Sequence, residues 1–267
     1  MKRLKIAYSA ITIFIFGTLK LLFSPKKLQS HILYLRDFCV LLRQQSSSTE
    51  NFPLGKAYPC LNDRYAESGV GNGHYFHQDL LVARRIHDCN PTLHIDVGSR
   101  IDGFVAHVAS FRILQVIDIR PLTSNIHNVI FSQADIMGII PNNLKNYCDS
   151  LSCLHALEHF GLGRYGDSVC ADGHRVGFNN LCEIIRPNGK FYCSVPIGPQ
   201  RIEFNAHRVF SIQYLIALFS DRFSIDSFSF VDDNGDLHEN VMFTEKDVIT
   251  NFGCIYGCGI FEMTKRQ

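Results

Sequence analysis

Several features that would place this sequence in a common functional class are missing. Its 26 basic and 25 acidic side chains leave a formal net charge of only +1. Such a chain has no overall field to recruit nucleic acid, so no nucleic-acid partner is expected. There is no C-x-x-C pair, and no G-x-G-x-x-G loop follows the first candidate strand. With 46% apolar residues among 267, the chain can bury the core of one medium-sized domain plus an appendage.

The ten cysteines do not have the spacing of a disulfide framework, which would be tight and regular in a short chain. Cys153 and Cys193 lie inside apolar runs, where a free thiol behaves as a small hydrophobic group. The closest pair, Cys254 and Cys258, fits alternation along a strand better than a zinc site. We therefore expect reduced thiols, a catalytic domain in a reducing compartment on the cytoplasmic side, and no metal site.

Residues 1–27 are expected to form an N-terminal membrane anchor or hydrophobic helix. The run 6–23 follows three basic side chains and is apolar except for Lys20 and a few hydroxyls. As a helix it would be about 27 Å long, just short of the roughly 30 Å hydrocarbon core of a bilayer. A cleaved signal peptide fits less well because bulky residues follow the run, and a helix buried in the domain is the third interpretation. Membrane association through residues 6–23 is the expectation.

Residues 28–73 are expected to form a helix and a linker. Apolar side chains recur at helical spacing over 28–43, which predicts an amphipathic helix. A serine-rich polar stretch follows at 44–51, and residues 52–73 contain prolines and glycines without a clear period. Residues 74–89 again have an apolar helical face, so we place the start of the main domain at residue 74 and its end at 267.

The main domain alternates strands with helices, which is typical of an α/β fold with a parallel sheet. The predicted strands are 93–97, 113–118, 129–131, 150–154, 190–195, 223–231 and 254–263. The predicted helices after the first strand are 102–110, 174–185 and 211–219. No helical pattern separates the last two strands, so an antiparallel C-terminal edge is expected. The sequence predicts a mostly parallel Rossmann-like sheet with helices on both faces.

Polar residues and glycines follow the first four strands, and ligands of open α/β sheets bind at these carboxyl ends. Gly98 allows a tight turn and close approach of a ligand to the backbone. Asp118 comes twenty residues later, where an acidic residue typically binds the ribose hydroxyls of a nucleotide cofactor. The candidate cofactor-binding residues are Asp96, Gly98 and Ser99 after the first strand, Asp118 after the second, and Asp135 with Ile136 after the third.

The type of cofactor follows from the missing glycines. A dinucleotide needs a middle glycine that makes room for its pyrophosphate, whereas Ser99 and Arg100 follow Gly98 here. S-adenosylmethionine has no phosphate, and its sulfonium and hydroxyl groups suit a set of carboxylates. Single aspartates are more often helix caps or turn residues than ligands, but three at successive strand ends favour an S-adenosylmethionine site.

These residues, with the turn 186–190 before the fifth strand, resemble the motif series of class I S-adenosylmethionine-dependent methyltransferases. Longer segments resemble a more specific family, the domain of unknown function 268, over roughly residues 60 to 265. These segments are 74–79, 96–104, 155–167 and 194–198. The resemblance implies that Asp96 and Gly98 line the methionine part, Asp118 the ribose, and Asp135 with Ile136 the adenine. Members of the family occur in nematodes and in bacterial surface-polysaccharide gene clusters, which implies O-methylation of a glycan or another small hydroxyl acceptor.

The fourth strand end is the predicted reaction centre, because methyl transfer to a hydroxyl needs a base within hydrogen-bond reach. The catalytic candidates are His155, Glu158 and His159, with His207 further along the chain. Residues 161–173 are expected to form either a lid over the substrate or a flexible loop. Three arginines could grip an anionic group of the acceptor, namely Arg164, Arg201 and Arg208.

Two other functions remain open at this point. His155, Glu158 and His159 also match the H-x-x-E-H pattern of inverted zinc peptidases. That chemistry requires a helix with both histidines on one face, whereas here Gly161 and Gly163 follow closely. The sparse glycine loop is also compatible with a catalytically silent methyltransferase-like membrane module.

Overall fold

The computed structural model describes residues 25–50 and 52–267. The predicted anchor at 6–23 lies outside these residues. Within the described ranges, no helix combines the length and apolar composition that crossing a bilayer requires. The described residues fall into two compact units that divide after Val70.

The first unit contains helix α1 (Pro25–Gln45) and a 3-10 turn at Asp63–Tyr65. Helix α1 covers the predicted amphipathic stretch. Ser46 and Ser47 follow the helix, and their hydroxyls donate to the carbonyls of Arg43 and Gln44 in its last turn. The serine-rich segment therefore helps to end the helix before the linker begins.

The second unit contains the α/β domain. Its helices and longer turns are α2 (His74–Cys89), a π-helical turn (Ile101–Val105) that runs into α3 (Ala106–Ala109), α4 (Gly173–Ile184), α5 (Ile212–Ser220) and α6 (Glu245–Thr250). Its strands are β1 (His94–Val97), β2 (Leu114–Asp118), β3 (Val129–Gln133), β4 (Cys148–Leu154), β5 (Ile185–Ile197), β6 (Arg201–Glu203), β7 (His207–Val209), β8 (Phe223–Val231), β9 (Leu237–His238) and β10 (Gly257–Lys265).

The main sheet has the order β3-β2-β1-β4-β5-β10-β8-β9, and β6 pairs with β7 in a small separate ribbon. Strands β1 to β5 are parallel to their neighbours, while β10 runs antiparallel to both β5 and β8. The predicted α/β fold, with a mostly parallel sheet and antiparallel pairing towards its C-terminal edge, is confirmed. Strands are added outwards from β1 to β3 on one side and from β4 to β5 on the other. The strand order therefore switches between β1 and β4, which places a crevice at their carboxyl ends.

Apolar layers cover both faces of the sheet. On one face α2 and the segment 101–109 contribute a cluster that includes Ile86 and Phe104. On the other face α4 and α5 contribute Phe178 and Phe219, which pack against each other with ring centroids 5.4 Å apart. All four side chains of β1 are buried, as expected for a parallel strand that helices cover on both sides.

His94 is one of two buried polar residues in β1, the other being Asp96. Its ring is fully buried, with Nδ1 2.8 Å from Ser150 Oγ and Nε2 3.1 Å from Ser152 Oγ. Burial lowers the pKa of His94 to about 3, because the charged imidazolium would lose its hydration. The ring is therefore neutral in the folded protein at any pH at which the fold is expected to operate.

We expect His94 to make the fold sensitive to acid. In the unfolded chain its pKa returns to about 6.5, so the unfolded state binds more protons between pH 6.5 and about 3. Stability from neutral His94 is fully present above pH 6.5 and is lost as the pH falls towards 3. At pH 5 the loss amounts to about 2 kcal/mol. Urea unfolding at pH 7 and pH 5 measures how much free energy of unfolding each protein loses on acidification. The loss should be smaller in His94→Gln than in the parent, and exposed His87→Gln should lose as much as the parent. Equal losses in all three proteins would refute the effect.

Candidate active site

A cleft of about 530 Å³ lies at the carboxyl ends of β1 to β4. Its walls come from the turn after β1, the segments after β2 and β3, the 155–160 region after β4, and the loop 164–167. Clefts of about 300–1000 Å³ are typical of small-molecule sites. Most of the candidate cofactor-binding residues that the sequence places at these strand ends line this cleft.

The turn after β1 forms the floor of the cleft. Gly98 has φ +75°, and a Cβ at this position would lie 2.8 Å from the Cβ of Ala156. Both the backbone conformation and the contact with the β4 end therefore require glycine. Gly98 lines the cleft, as a close approach of backbone to ligand would need.

Asp96 and Ser99 lie beneath this turn and do not contribute to the cleft lining. Asp96 is fully buried, and its Oδ1 accepts hydrogen bonds from Ser99 Oγ at 2.6 Å and Ser152 Oγ at 2.5 Å. Its Oδ2 accepts from the Ser99 amide at 3.1 Å. Burial raises the pKa of Asp96 to about 6, against the lowering effect of these hydrogen bonds. Asp96 fixes the turn in place; the predicted contact of Asp96 and Ser99 with a cofactor stays a prediction.

The β2 end brings an arginine to Asp118. The Arg120 guanidinium donates from Nη2 to Oδ2 at 2.6 Å and from Nε to Oδ1 at 3.0 Å. The Arg120 amide also donates to Oδ1 at 2.8 Å. Both residues line the cleft. Asp118 lies at the cleft, as the sequence predicted. Arg120 was not among the predicted site residues, and its position two residues after Asp118 was the only sequence signal for it.

The β3 end supplies Asp135 and Ile136, which both line the cleft. Asp135 Oδ1 accepts from the Met137 amide at 2.9 Å, which closes a local turn. The Asn180 side chain of α4 donates to the carbonyls of Ile136 and Gly138 at 2.7 and 2.8 Å. The helix behind the sheet thus holds this loop, and the apolar Ile136 side chain is available as one wall.

The β4 end brings together three of the predicted catalytic residues. Glu158 is almost completely buried, and His155 Nδ1 donates to its Oε1 at 2.8 Å. His159 Nε2 lies 3.6 Å from the same oxygen, while His159 Nδ1 donates to the Ala206 carbonyl at 2.7 Å. His155 and His159 line the cleft, and Glu158 connects them from behind.

The charges of this group follow from its contacts. Burial alone would raise the pKa of Glu158. The charge and the hydrogen bond of His155 lower it by more, so the pKa of Glu158 lies below its usual value. Burial lowers the pKa of His159, with partial compensation from the Glu158 charge. A neutral His159 that donates through Nδ1 has a bare lone pair at Nε2. His159 therefore has the form that a general base requires.

The H-x-x-E-H segment does not form the helix that a zinc peptidase motif needs. Leu157–His159 is a single 3-10 turn, and His155 before it has φ +49°. Glu158 lies between the two histidines and contacts both of them. The two rings therefore do not stand side by side on one helical face, and this alternative loses its structural basis.

His207 and two of the predicted arginines are engaged elsewhere. His207 begins β7, outside the cleft lining, with Nε2 3.1 Å from Glu203 Oε2. Arg201 bonds Glu203 and the carbonyls of Pro199 and Ile255. Buried Arg208 donates only to backbone carbonyls of the segment 158–171. Among the three arginines, Arg164 alone lines the cleft.

The loop 161–173 is fixed at its cleft end. Asp167 Oδ2 accepts from the amides of Gly161 and Gly163 at 2.8 and 3.1 Å. The ring of Tyr165 lies between two guanidinium groups, 4.6 Å from that of Arg120 and 5.1 Å from that of Arg164. These cation–π contacts join the loop to the β2 end across the cleft rim.

Comparisons with known proteins agree with this fold. A search of curated proteins finds no match. A solved structure of the N-methyltransferase NodS from Bradyrhizobium japonicum WM9 is similar with a TM-score of 0.50 and 10% identity, over 74% of this chain and 100% of that one. The Burkholderia thailandensis 1,6-didemethyltoxoflavin-N1-methyltransferase, solved with its substrate and S-adenosylhomocysteine, has a TM-score of 0.50 and 14% identity, over 71% and 79%. At these identities the likeness establishes the fold.

The family assignment comes from a separate comparison. The family model described as "Caenorhabditis protein of unknown function, DUF268" matches residues 112–251, which is more than half of the chain. This range includes Asp118, Asp135 and the whole β4 end. The chain is a member of the DUF268 family, and it has the Rossmann-like fold of the class I methyltransferases.

Proposed function

We propose that this protein is an S-adenosylmethionine-dependent methyltransferase that methylates a hydroxyl group on a glycan or another small acceptor. The observation that carries the proposal is the convergence of Gly98, Asp118, Asp135 and His159 on one cleft at the carboxyl ends of β1 to β4. A cofactor site and a candidate base then share the same space. The glycan acceptor rests on the family resemblance.

The lining residues fit the cofactor. Gly98 presents bare backbone, which allows the methionine part to approach the sheet closely. Among the described residues, Asp118 Oδ2 accepts only from Arg120 Nη2, so it has a lone pair left that can accept from a ribose hydroxyl. Phe131 and Ile136 offer apolar surface for an adenine ring, and Asp135 offers a carboxylate beside it. The volume of about 530 Å³ suits a cofactor together with part of an acceptor.

When bound, S-adenosylmethionine supplies an electrophilic methyl group on a positively charged sulfur. The chain's own residues have to orient the acceptor in line with that group, since positioning accounts for much of the catalysis in such a displacement. The methyl carbon would exchange its bond to sulfur for a bond to the acceptor oxygen, with the electron pair left on sulfur, and His159 Nε2 would take the hydroxyl proton. The Ala206 carbonyl holds Nδ1 protonated, which keeps Nε2 free for this proton.

Glu158 supports this step without touching the acceptor. Once His159 takes a proton, its positive Nε2 lies 3.6 Å from the Glu158 carboxylate. The buried carboxylate stabilises the imidazolium in surroundings that hold little water. His155 in turn fixes the carboxylate through the 2.8 Å bond to Oε1. We assign Glu158 and His155 as positioning residues and His159 as the base.

Titration calorimetry of the purified full-length chain tests the proposal. We expect one equivalent of S-adenosylhomocysteine or S-adenosylmethionine to bind per chain. Asp118→Ala should weaken binding about tenfold or more, because a hydrogen bond to a charged group contributes about 1.5–3 kcal/mol. Asp88→Ala removes an exposed carboxylate far along α2 and should bind like the parent.

Two results would reject the proposal. A correctly folded parent that gives no heat with either ligand would leave the non-catalytic module as the better interpretation. Binding that is identical in the parent and in Asp118→Ala would place the ligand outside this cleft. Circular dichroism of each variant separates a lost contact from a lost fold.

A further inference from the structure

A cluster of three potential metal ligands lies behind the β4 end. His74 is the first residue of α2, His155 follows β4, and Cys258 lies in β10. One ligand atom from each residue lies within 4.8 Å of the other two. The three residues are far apart in the sequence, so no spacing motif reveals them. Three separate elements of the fold bring them together.

His155 is oriented as a metal ligand usually is. Its Nδ1 donates to the buried Glu158 carboxylate, which fixes both the ring orientation and the tautomer. Its Nε2 is buried and has no hydrogen-bond partner among the described residues. The side chain is only 4% exposed. A buried ring nitrogen without a partner costs free energy unless something occupies the position it faces.

Within the described part of the chain, Cys258 also lacks a strong competing hydrogen-bond partner. The Cys258 thiol is fully buried, and its contacts are long, 3.8 Å to Gln78 Oε1 and 4.0 Å to the Gly259 carbonyl. The His74 and His155 rings lie with centroids 5.3 Å apart and planes within 11°. Because the rings are stacked, one of them has to turn before both bind one ion through nitrogens at about 2.0–2.1 Å from it.

We propose that His74, His155 and Cys258 bind one zinc ion and leave its fourth position to a water molecule. Imidazole nitrogen and thiolate sulfur are both common zinc ligands, and three protein ligands with one open position resemble catalytic zinc sites. The ion, the thiolate and the Glu158 carboxylate together carry no net charge, which suits a buried site. This proposal is independent of cofactor binding in the cleft, although His155 borders both.

Metal titration of the full-length chain, stripped of metal with a chelator, tests this site. We expect one equivalent of Zn²⁺ to bind. Co²⁺ in its place should give a near-ultraviolet thiolate charge-transfer band and the visible bands of a tetrahedral ion. Cys258→Ser should abolish the charge-transfer band. Glu158→Gln, which weakens the support of His155, should lower zinc affinity about 10–100-fold.

Matched variants separate this cluster from the other cysteines and histidines. Cys254→Ser removes another buried thiol close in sequence, and His77→Ala removes another histidine of α2. Both should bind one Zn²⁺ with the affinity of the parent, whereas His74→Ala should bind it at least tenfold more weakly. A Co²⁺ complex of the parent without a thiolate band would overturn the proposal, whether or not Cys258→Ser folds. Unchanged zinc affinity in a folded Cys258→Ser would do the same.

Discussion

Replacing Arg208 with methionine should lower the free energy of unfolding by about 4 kcal/mol. The guanidinium is almost completely buried, and Nη1 donates to the carbonyls of Glu158 and Phe160 at 3.3 and 2.6 Å. Nη2 donates to the carbonyls of Cys170 and Ala171 at 3.4 and 3.1 Å. Methionine keeps the apolar stem but leaves these carbonyls without their donor. Hydrogen bonds to charged groups contribute about 1.5–3 kcal/mol each, and their effects are not additive.

Thermal unfolding measures this loss. In a domain of about 200 residues, 4 kcal/mol lowers the Tm by roughly 8–16 °C. Exposed Arg175→Met, in α4, has the same change of charge and should shift the Tm by only a degree or two. If Arg208→Met and Arg175→Met unfold at the same temperature, Arg208 does not hold the 158–171 segment. In that case Arg208 would be free for the acceptor-binding role that the sequence had suggested.

Replacing His159 with glutamine should reduce the rate of methyl transfer about 10²–10⁴-fold, the usual contribution of a positioned general base. Glutamine keeps a donor that can reach the Ala206 carbonyl but cannot take the acceptor's proton. Affinity for S-adenosylhomocysteine should stay within a factor of a few, because the proposed cofactor contacts lie at the other strand ends. The measurement is S-adenosylhomocysteine release with an acceptor identified by screening hydroxylated glycans.

The pH dependence of kcat/KM distinguishes a general base from a purely structural role of His159. Because burial lowers the pKa of His159, the neutral base persists below pH 6.5, and the acid limb of kcat/KM should lie below that pH. His207→Gln is the matched control, since His207 lies outside the cleft lining and pairs with Glu203. Equal rate losses in His159→Gln and His207→Gln would remove His159 from the role of base.

The fold could be predicted because its signals are local. Apolar runs between turn residues located all of the first five strands, and the Asp–Gly turn located the cleft. Boundaries were less certain. Strand β5 begins at Ile185 rather than Lys190, because Ile185 already pairs with Cys148, and residues 186–189 form an irregularity before Lys190 pairs with Ser150. Strand β10 begins at Gly257 rather than Cys254, because the Asp233 carboxylate accepts from the Ile255 and Tyr256 amides instead.

The site was only partly predictable because long-range pairing decides which side chains are free. The sequence placed Asp118 and His159 at strand ends, and both line the cleft. The sequence could not reveal that the Arg208 guanidinium donates its hydrogen bonds to backbone carbonyls, since these carbonyls lie 37 to 50 residues away in the chain. The proposed zinc ligands are further apart still. Their proximity depends on β10 lying between β5 and β8.

A structure of the full-length chain at saturating S-adenosylhomocysteine is the most direct test of the proposed cofactor site. We expect one ligand per chain in the cleft at the ends of β1 to β4. Its ribose should bind the Asp118 carboxylate, its adenine should lie beside Asp135 and Ile136, and its sulfur should face His159. A ligand bound elsewhere, or a cleft without ligand at saturating concentration, would contradict the proposed cofactor site.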